Sequence, residues 1–126
     1  MLMVNSINHI RIAEHFCLDE FQCPCCKKVM LHPLLLQKLK CLRFKADKTV
    51  IINSGFRCPD YNRKVNGVKV SYHLLGMAVD IHVPGMSLKD LLLIAKEIGF
   101  KGIGFYPKRN FLHLDIRPTG QARWQS

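Results

Sequence analysis

No apolar run in this chain approaches the ~18 residues that a helix needs to cross a bilayer; the longest, within 90–98, is interrupted by Lys96 and Glu97. A membrane span is therefore not expected. The first twelve residues hold no sustained apolar core followed by a small-residue cleavage site, so a signal peptide is not expected either, and synthesis in the cytoplasm follows. Acidic residues are scarce, 9 against 19 Lys and Arg, which leaves a net charge of +10 and a pI near 9.6. That excess predicts attraction to a polyanion. Its carriers, among them Lys27, Lys38, Arg43, Arg63, Lys69, Lys101 and Lys108, are scattered and do not line one helix with interleaved aromatics, which disfavours nucleic acid. A second C-x-x-C pair is also missing. Cys23 and Cys26 form the single one, and partners for a structural metal would have to come from Cys17, Cys41, Cys58, His15 or His32. Buried, reduced thiols that pack as small hydrophobes are preferred here over a structural zinc ion at Cys23 and Cys26, and over disulfides, which cytoplasmic synthesis disfavours.

What is present is enough for one globular domain. The 126 residues are 48% hydrophobic with a mean hydropathy of +0.04, which excludes a disordered chain. The expected layout is a single domain over 1–126, with a Cys-rich lead-in at 1–31 and a short polar tail at 118–126 in which Trp124 folds back. A helix is expected over 32–46, with Pro33 in its first turn and Leu35, Leu36, Leu39, Leu42 and Phe44 as its apolar stripe. Another is expected over 88–98, capped by Ser87 and ended by Gly99. A short helix follows Pro59. The β-branched run within 49–54 reads as a buried strand.

Two segments carry the chemistry. In 77–83, Met77, Val79, Ile81 and Val83 alternate with Ala78, Asp80 and His82; in 111–117, Leu112, Leu114 and Ile116 alternate with Phe111, His113, Asp115 and Arg117. Each strand is dry on one face and ionisable on the other. One such strand is ordinarily a solvated sheet face, but two of them, with His73 just before the first across Gly76, offer two imidazoles and a carboxylate, the ligand chemistry of a catalytic zinc site. The strand 101–106 carries Gly102 and Gly104, which leave room either for a substrate backbone or for a close strand contact, with Tyr106 facing the same way. A turn at 107–110 makes a hairpin with 111–117. His82 reads as a surface histidine, and Asn62 as a structural residue.

Ser54-Gly55-Phe56-Arg57, Asn62, Gly67, Ser71-x-His73-x-x-Gly76-x-Ala78-x-Asp80, Gly102-x-Gly104-x-Tyr106 and Phe111-x-His113-x-Asp115-x-Arg117, taken together, resemble the M15 family of zinc peptidases. These are D-Ala-D-Ala carboxypeptidases and peptidoglycan endopeptidases that share a fold with the Hedgehog signalling domain. Phe16-x-Leu18-x-Glu20-Phe21-x-Cys23 is similar to a non-catalytic lead-in of the same enzymes, which packs beneath the sheet. The resemblance implies an α+β fold: a small, mostly antiparallel sheet with helices on its apolar face and zinc on the other. It implies His73 and Asp80 as the first two zinc ligands. The third is His113, with Asp115 taking a proton from zinc-bound water, or, in the alternative register, Asp115 with His113 as the catalytic group; two imidazoles make the better Lewis acid, which favours the first. Arg57 and Ser71, with Tyr106, would position the substrate, Arg57 by gripping a carboxylate.

The expected function is zinc-dependent hydrolysis of a peptide bond in peptidoglycan, in a stem peptide or a cross-link, by a monomer whose charge suits an anionic wall. Without a leader, another agent must release it, as for phage or prophage lysins. Asn110 stands where many relatives carry an acid, which keeps open a zinc-containing module that binds wall peptides without cutting them. A nucleic-acid-binding protein built on Cys23 and Cys26 is the third reading.

Overall fold

The structure is a computed structural model that describes residues 7–126. The expectation of a missing signal peptide falls partly on residues 1–6, which lie outside the described residues. The fold is α+β, as expected. Its helices are α1 (Pro33–Ala46), α2 (Pro59–Lys64) and α3 (Leu88–Ile98). A five-stranded sheet holds β3 (Ile51–Ser54), β4 (Ala78–His82), β5 (Gly102–Tyr106), β6 (Phe111–Asp115) and β7 (Ala122–Gln125), while β1 (Arg11–Ala13) and β2 (Phe16–Cys17) form a separate small hairpin. None of the helices among the described residues is long and apolar enough to cross a membrane.

Local chemistry explains both long helices. Pro33 opens α1, and the His32 ring accepts the Leu34 N–H at 3.1 Å. The Ser87 hydroxyl caps α3 by accepting the Asp90 N–H at 3.1 Å, and Gly99 ends it in the left-handed conformation at φ +92°. Leu35, Leu39 and Leu42 of α1 meet Leu91 and Ala95 of α3 in a core that also takes Val79, Ile81, Leu112 and Leu114 from the sheet. Each fully buried Leu there is worth roughly 1.5–3 kcal/mol. Phe44 departs from the expected stripe: it is 85% exposed, because its helix position turns it away from α3. The lead-in behaves as its resemblance implies, with Phe16 and Phe21 buried in the core and their rings 5.8 Å apart.

The strand order is β3-β4-β6-β5-β7, antiparallel throughout except for β7, which runs parallel to β5. β5 and β6 form the expected hairpin, with Asn110 at φ +55° in its turn. β3 corrects the expectation of a buried strand: it is an edge, and Ile51 is exposed because no neighbour covers that side. The tail folds back as expected, but as a paired strand. Register then aligns Ser54 with Asp80, Asp80 with His113, His113 with Gly104 and Gly104 with Trp124, one row across all five strands.

Candidate metal centre

The cross-strand row builds the site. Alternation along β4 and β6 sends Val79, Ile81, Leu112 and Leu114 into the core, and so sends Asp80 and His113 to the opposite face. His73 comes from a 3₁₀ turn, Tyr72–Leu75, whose N-terminus is capped by Ser71 Oγ accepting the His73 N–H at 3.1 Å. Gly76 ends that turn at φ +69°, and its missing side chain is needed twice, since a Cβ would also lie 2.4 Å from the Met30 carbonyl oxygen. The turn thus hands His73 to the mouth of β4.

Asp80 Oδ1 stands 3.2 Å from His73 Nε2 and 3.1 Å from His113 Nδ1. The far nitrogen of each ring is committed: His73 Nδ1–H donates to the Gly55 carbonyl at 2.8 Å, and His113 Nε2–H donates to Asp115 Oδ2 at 2.8 Å. Metal ligation requires neutral rings, and in that form both near nitrogens and Asp80 Oδ1 would offer lone pairs to one gap, which suits a cation. Ligands about 2.0 Å from a tetrahedral zinc stand about 3.3 Å apart, close to the spacings here, and the three donor atoms all lie within 4.8 Å of one another. The donor set therefore fits a divalent metal.

The surrounding cleft has a volume of about 480 Å³ and is lined by Arg57, Ser71, Tyr72, Tyr106, Arg109, Arg117 and Trp124 besides the three ligand candidates. Residues 14–115 match the family model described as Peptidase M15, a span that contains all three. The chain belongs to the M15 peptidase family. It is also 37% identical over 81 residues to the peptidoglycan L,D-endopeptidase MepK of Escherichia coli K12, covering 60% of this chain and 43% of that protein. The probable peptidoglycan L,D-endopeptidase MepK of Haemophilus influenzae is 36% identical over 70 residues, covering 52% of this chain and 38% of the relative. The chain thus spans less than half the length of these curated relatives.

Around the triad of this M15 chain, each ligand candidate is held from behind. Arg57 donates to Asp80 Oδ2 at 3.0 Å, to Ser54 Oγ at 3.1 Å and to Asn62 Oδ1 at 3.2 Å, so its fork is turned inward onto Asp80. Asn62 in turn donates to the Val68 carbonyl at 2.8 Å and steadies the 62–68 loop, as the family resemblance implies. Asp115 is fully buried behind His113 and does not line the cleft. Both of its oxygens are taken, Oδ1 by the Arg117 N–H and Nε–H at 3.1 and 2.9 Å, Oδ2 by His113 and by an Arg117 Nη at 2.7 Å. Asp115 therefore reaches the cleft only through His113. Gly102 makes room for that carboxylate: a Cβ there would sit 2.2 Å from Asp115 Oδ2. Gly104 makes room for the Trp124 indole, which lies 5.1 Å from the His113 ring and donates to the Tyr106 hydroxyl at 2.9 Å. Both glycines serve close contacts, the second of the two roles their spacing allowed. His82 is not in the site; its ring bonds Asn53 at 2.7 Å.

Sequence reasoning missed Trp124 as a wall of the cleft, and the signal for it was the Gly at 104, which only the β5–β7 register connects to it. The electrostatics follow the geometry. Burial alone would raise the pKa of Asp80, but hydrogen bonds from His113 and His73 outweigh it and hold the carboxylate well below the usual range. For Asp115 burial is likewise outweighed, by Arg117 and His113. For His113 burial would lower the pKa, yet Asp115 and Asp80 raise it. A depressed carboxylate pKa adds stability that is present above the unfolded value of about 4 and lost as pH falls below it; a raised His pKa adds stability present below about 6.5 and lost as pH rises past the folded value. The metal-free chain is thus expected to be most stable between those limits. Thermal unfolding of demetallated protein at about pH 3, 5 and 8 checks this; an unchanged melting temperature from pH 5 to 3 would contradict it.

Proposed function

We propose that this chain is a zinc-dependent peptidase that hydrolyses an amide bond in peptidoglycan peptides. The observation that carries the reading is the convergence of His73 Nε2, Asp80 Oδ1 and His113 Nδ1 at tetrahedral ligand spacing on the floor of an open cleft. Bound zinc would acidify a water toward a pKa of about 7 and polarise the scissile carbonyl. The chain's own residues hold the geometry for this. Gly55 O fixes the His73 tautomer, Arg57 holds the second oxygen of Asp80, and Asp115, braced by Arg117, fixes His113. Asp115 is accordingly a positioning residue in this proposal; with both oxygens occupied and its acidity enhanced, it is a weak acceptor for the proton of an attacking water.

Substrate lies along the cleft between Tyr72, Tyr106 and Trp124, with Arg109 and Arg117 at hand for stem-peptide carboxylates. Ser71 supports the same wall by capping the turn that carries His73, and Tyr106 presents its ring stacked on Phe111 at 4.4 Å. Arg57 retains N–H groups toward the cleft beyond the three it spends inside, so a substrate contact and its hold on Asp80 are compatible. The likeness to a peptidoglycan L,D-endopeptidase and a probable one favours an internal bond over a terminal D-Ala. The site of action is then the cell wall.

Mass spectrometry of muropeptides incubated with zinc-loaded protein, with a chelated sample alongside, tests the reading. New fragments that vanish on chelation are expected, and their masses name the bond. Peptides that bind but keep their masses would replace the peptidase with a wall-binding module.

A further inference from the structure

A second set of metal-ligating side chains lies outside the cleft, at the lead-in. The 23–28 segment closes on itself: the Lys27 N–H donates to the Cys23 carbonyl at 2.9 Å and the Cys23 N–H to the Lys28 carbonyl at 2.8 Å. Lys27 takes φ +64° to make that turn, a conformation a Lys adopts only under constraint. The knuckle brings the sulfurs of Cys23 and Cys26 within 4.8 Å of each other. Cys58 arrives from 35 residues further along the chain, its Sγ 3.6 Å from that of Cys23 and itself accepting the Tyr61 N–H at 3.4 Å. Thiolates about 2.3 Å from a tetrahedral zinc stand about 3.8 Å apart, whereas a disulfide needs about 2.05 Å. The sulfurs of Cys23, Cys26 and Cys58 all lie within 4.8 Å of one another.

We propose that Cys23, Cys26 and Cys58 hold a structural zinc ion. The expectation of buried thiols holds for Cys23, whereas Cys58 is half-buried and Cys25 and Cys26 are exposed. The ion ties the lead-in to the 55–58 segment. That segment already leans on the lead-in, because the Phe56 N–H donates to the Phe21 carbonyl at 2.8 Å and a Cβ on Gly55 would lie 2.6 Å from the same oxygen. Cys58 follows Arg57, which grips Asp80, and precedes α2, which carries Asn62. A metal at the cysteines therefore braces the wall behind the first centre without touching substrate.

Cobalt(II) titration of the reduced, full chain separates the two centres, because thiolate ligands produce a charge-transfer band in the near ultraviolet that imidazole and carboxylate ligands do not. One equivalent of cobalt is expected to develop that band, Cys58→Ser and Cys26→Ser to lose it with at least tenfold weaker binding, and His73→Ala to keep it. Zinc content is expected to fall by one ion per chain in Cys58→Ser. Absence of the band in the reduced native chain, zinc content unchanged by Cys58→Ser, or a Cys23–Cys58 disulfide in the freshly purified protein would each overturn the proposal. The band in the native chain does not depend on the cleft binding metal or cutting peptide, so this proposal and the peptidase reading fail independently.

Discussion

His73→Ala is expected to abolish both metal retention at the cleft and peptide hydrolysis while leaving a folded domain. The ring is 2% exposed, and it is pinned from both sides, by the Gly55 carbonyl at 2.8 Å and by Asp80 at 3.2 Å. Removing it leaves two donors, too few to hold zinc in a catalytic site that ordinarily uses three protein ligands. It also leaves the buried Gly55 carbonyl without its partner, a cost of roughly 1–3 kcal/mol. Domains of this size commonly hold 5–15 kcal/mol, so the variant should still fold. Zinc content, muropeptide turnover and circular dichroism of the purified variant together check the result. Undiminished turnover in a folded, metal-free variant would sink the peptidase reading.

Asp115→Asn is expected to weaken metal affinity by about 10–100-fold and to lower activity by a similar factor at limiting zinc, the usual cost of losing a carboxylate behind a ligating imidazole. The substitution keeps the shape that Gly102 accommodates, but removes the charge that satisfies Arg117 and holds the His113 Nε2–H. Because Asp115 acts through His113, excess zinc should restore most of kcat, and KM for the peptide should barely move. The opposite pattern discriminates. If Asp115 itself took the proton of the attacking water, kcat would collapse and zinc would not rescue it. Titrating activity against zinc for the variant and the native chain separates the two roles.

Much of this protein is written in local pattern. The caps at His32 and Ser87, the stop at Gly99 and the 3.6-residue stripes place α1 and α3 where the periodicity predicts them. The period of two in 77–83 and 111–117 gives both the strands and the face that each polar residue takes, since a strand has only two faces and the apolar one must go to the core. Family membership is legible for the same reason, in residue types held at fixed spacing. None of these readings requires knowing what lies next to what.

Where neighbours decide, the sequence is silent. An Arg after Ser-Gly-Phe has the same chemistry whether it grips substrate or Asp80; only the β3–β4 pairing, which sets Ser54 beside Asp80, turns Arg57 inward. Gly102 and Gly104 announce space without saying what fills it, and the answer came from strand register: the Asp115 carboxylate over one, the Trp124 ring over the other. Trp124 reaches the cleft because β7 adds to β5 in parallel, a pairing that leaves no periodic trace in four residues. Cys58 joins Cys23 and Cys26 across at least 31 residues of intervening chain, beyond any spacing motif. The alternating sequence determined which side chains face the site, because that depends on backbone period alone; the tertiary structure decided which of them touch, because contact between distant segments depends on register and packing.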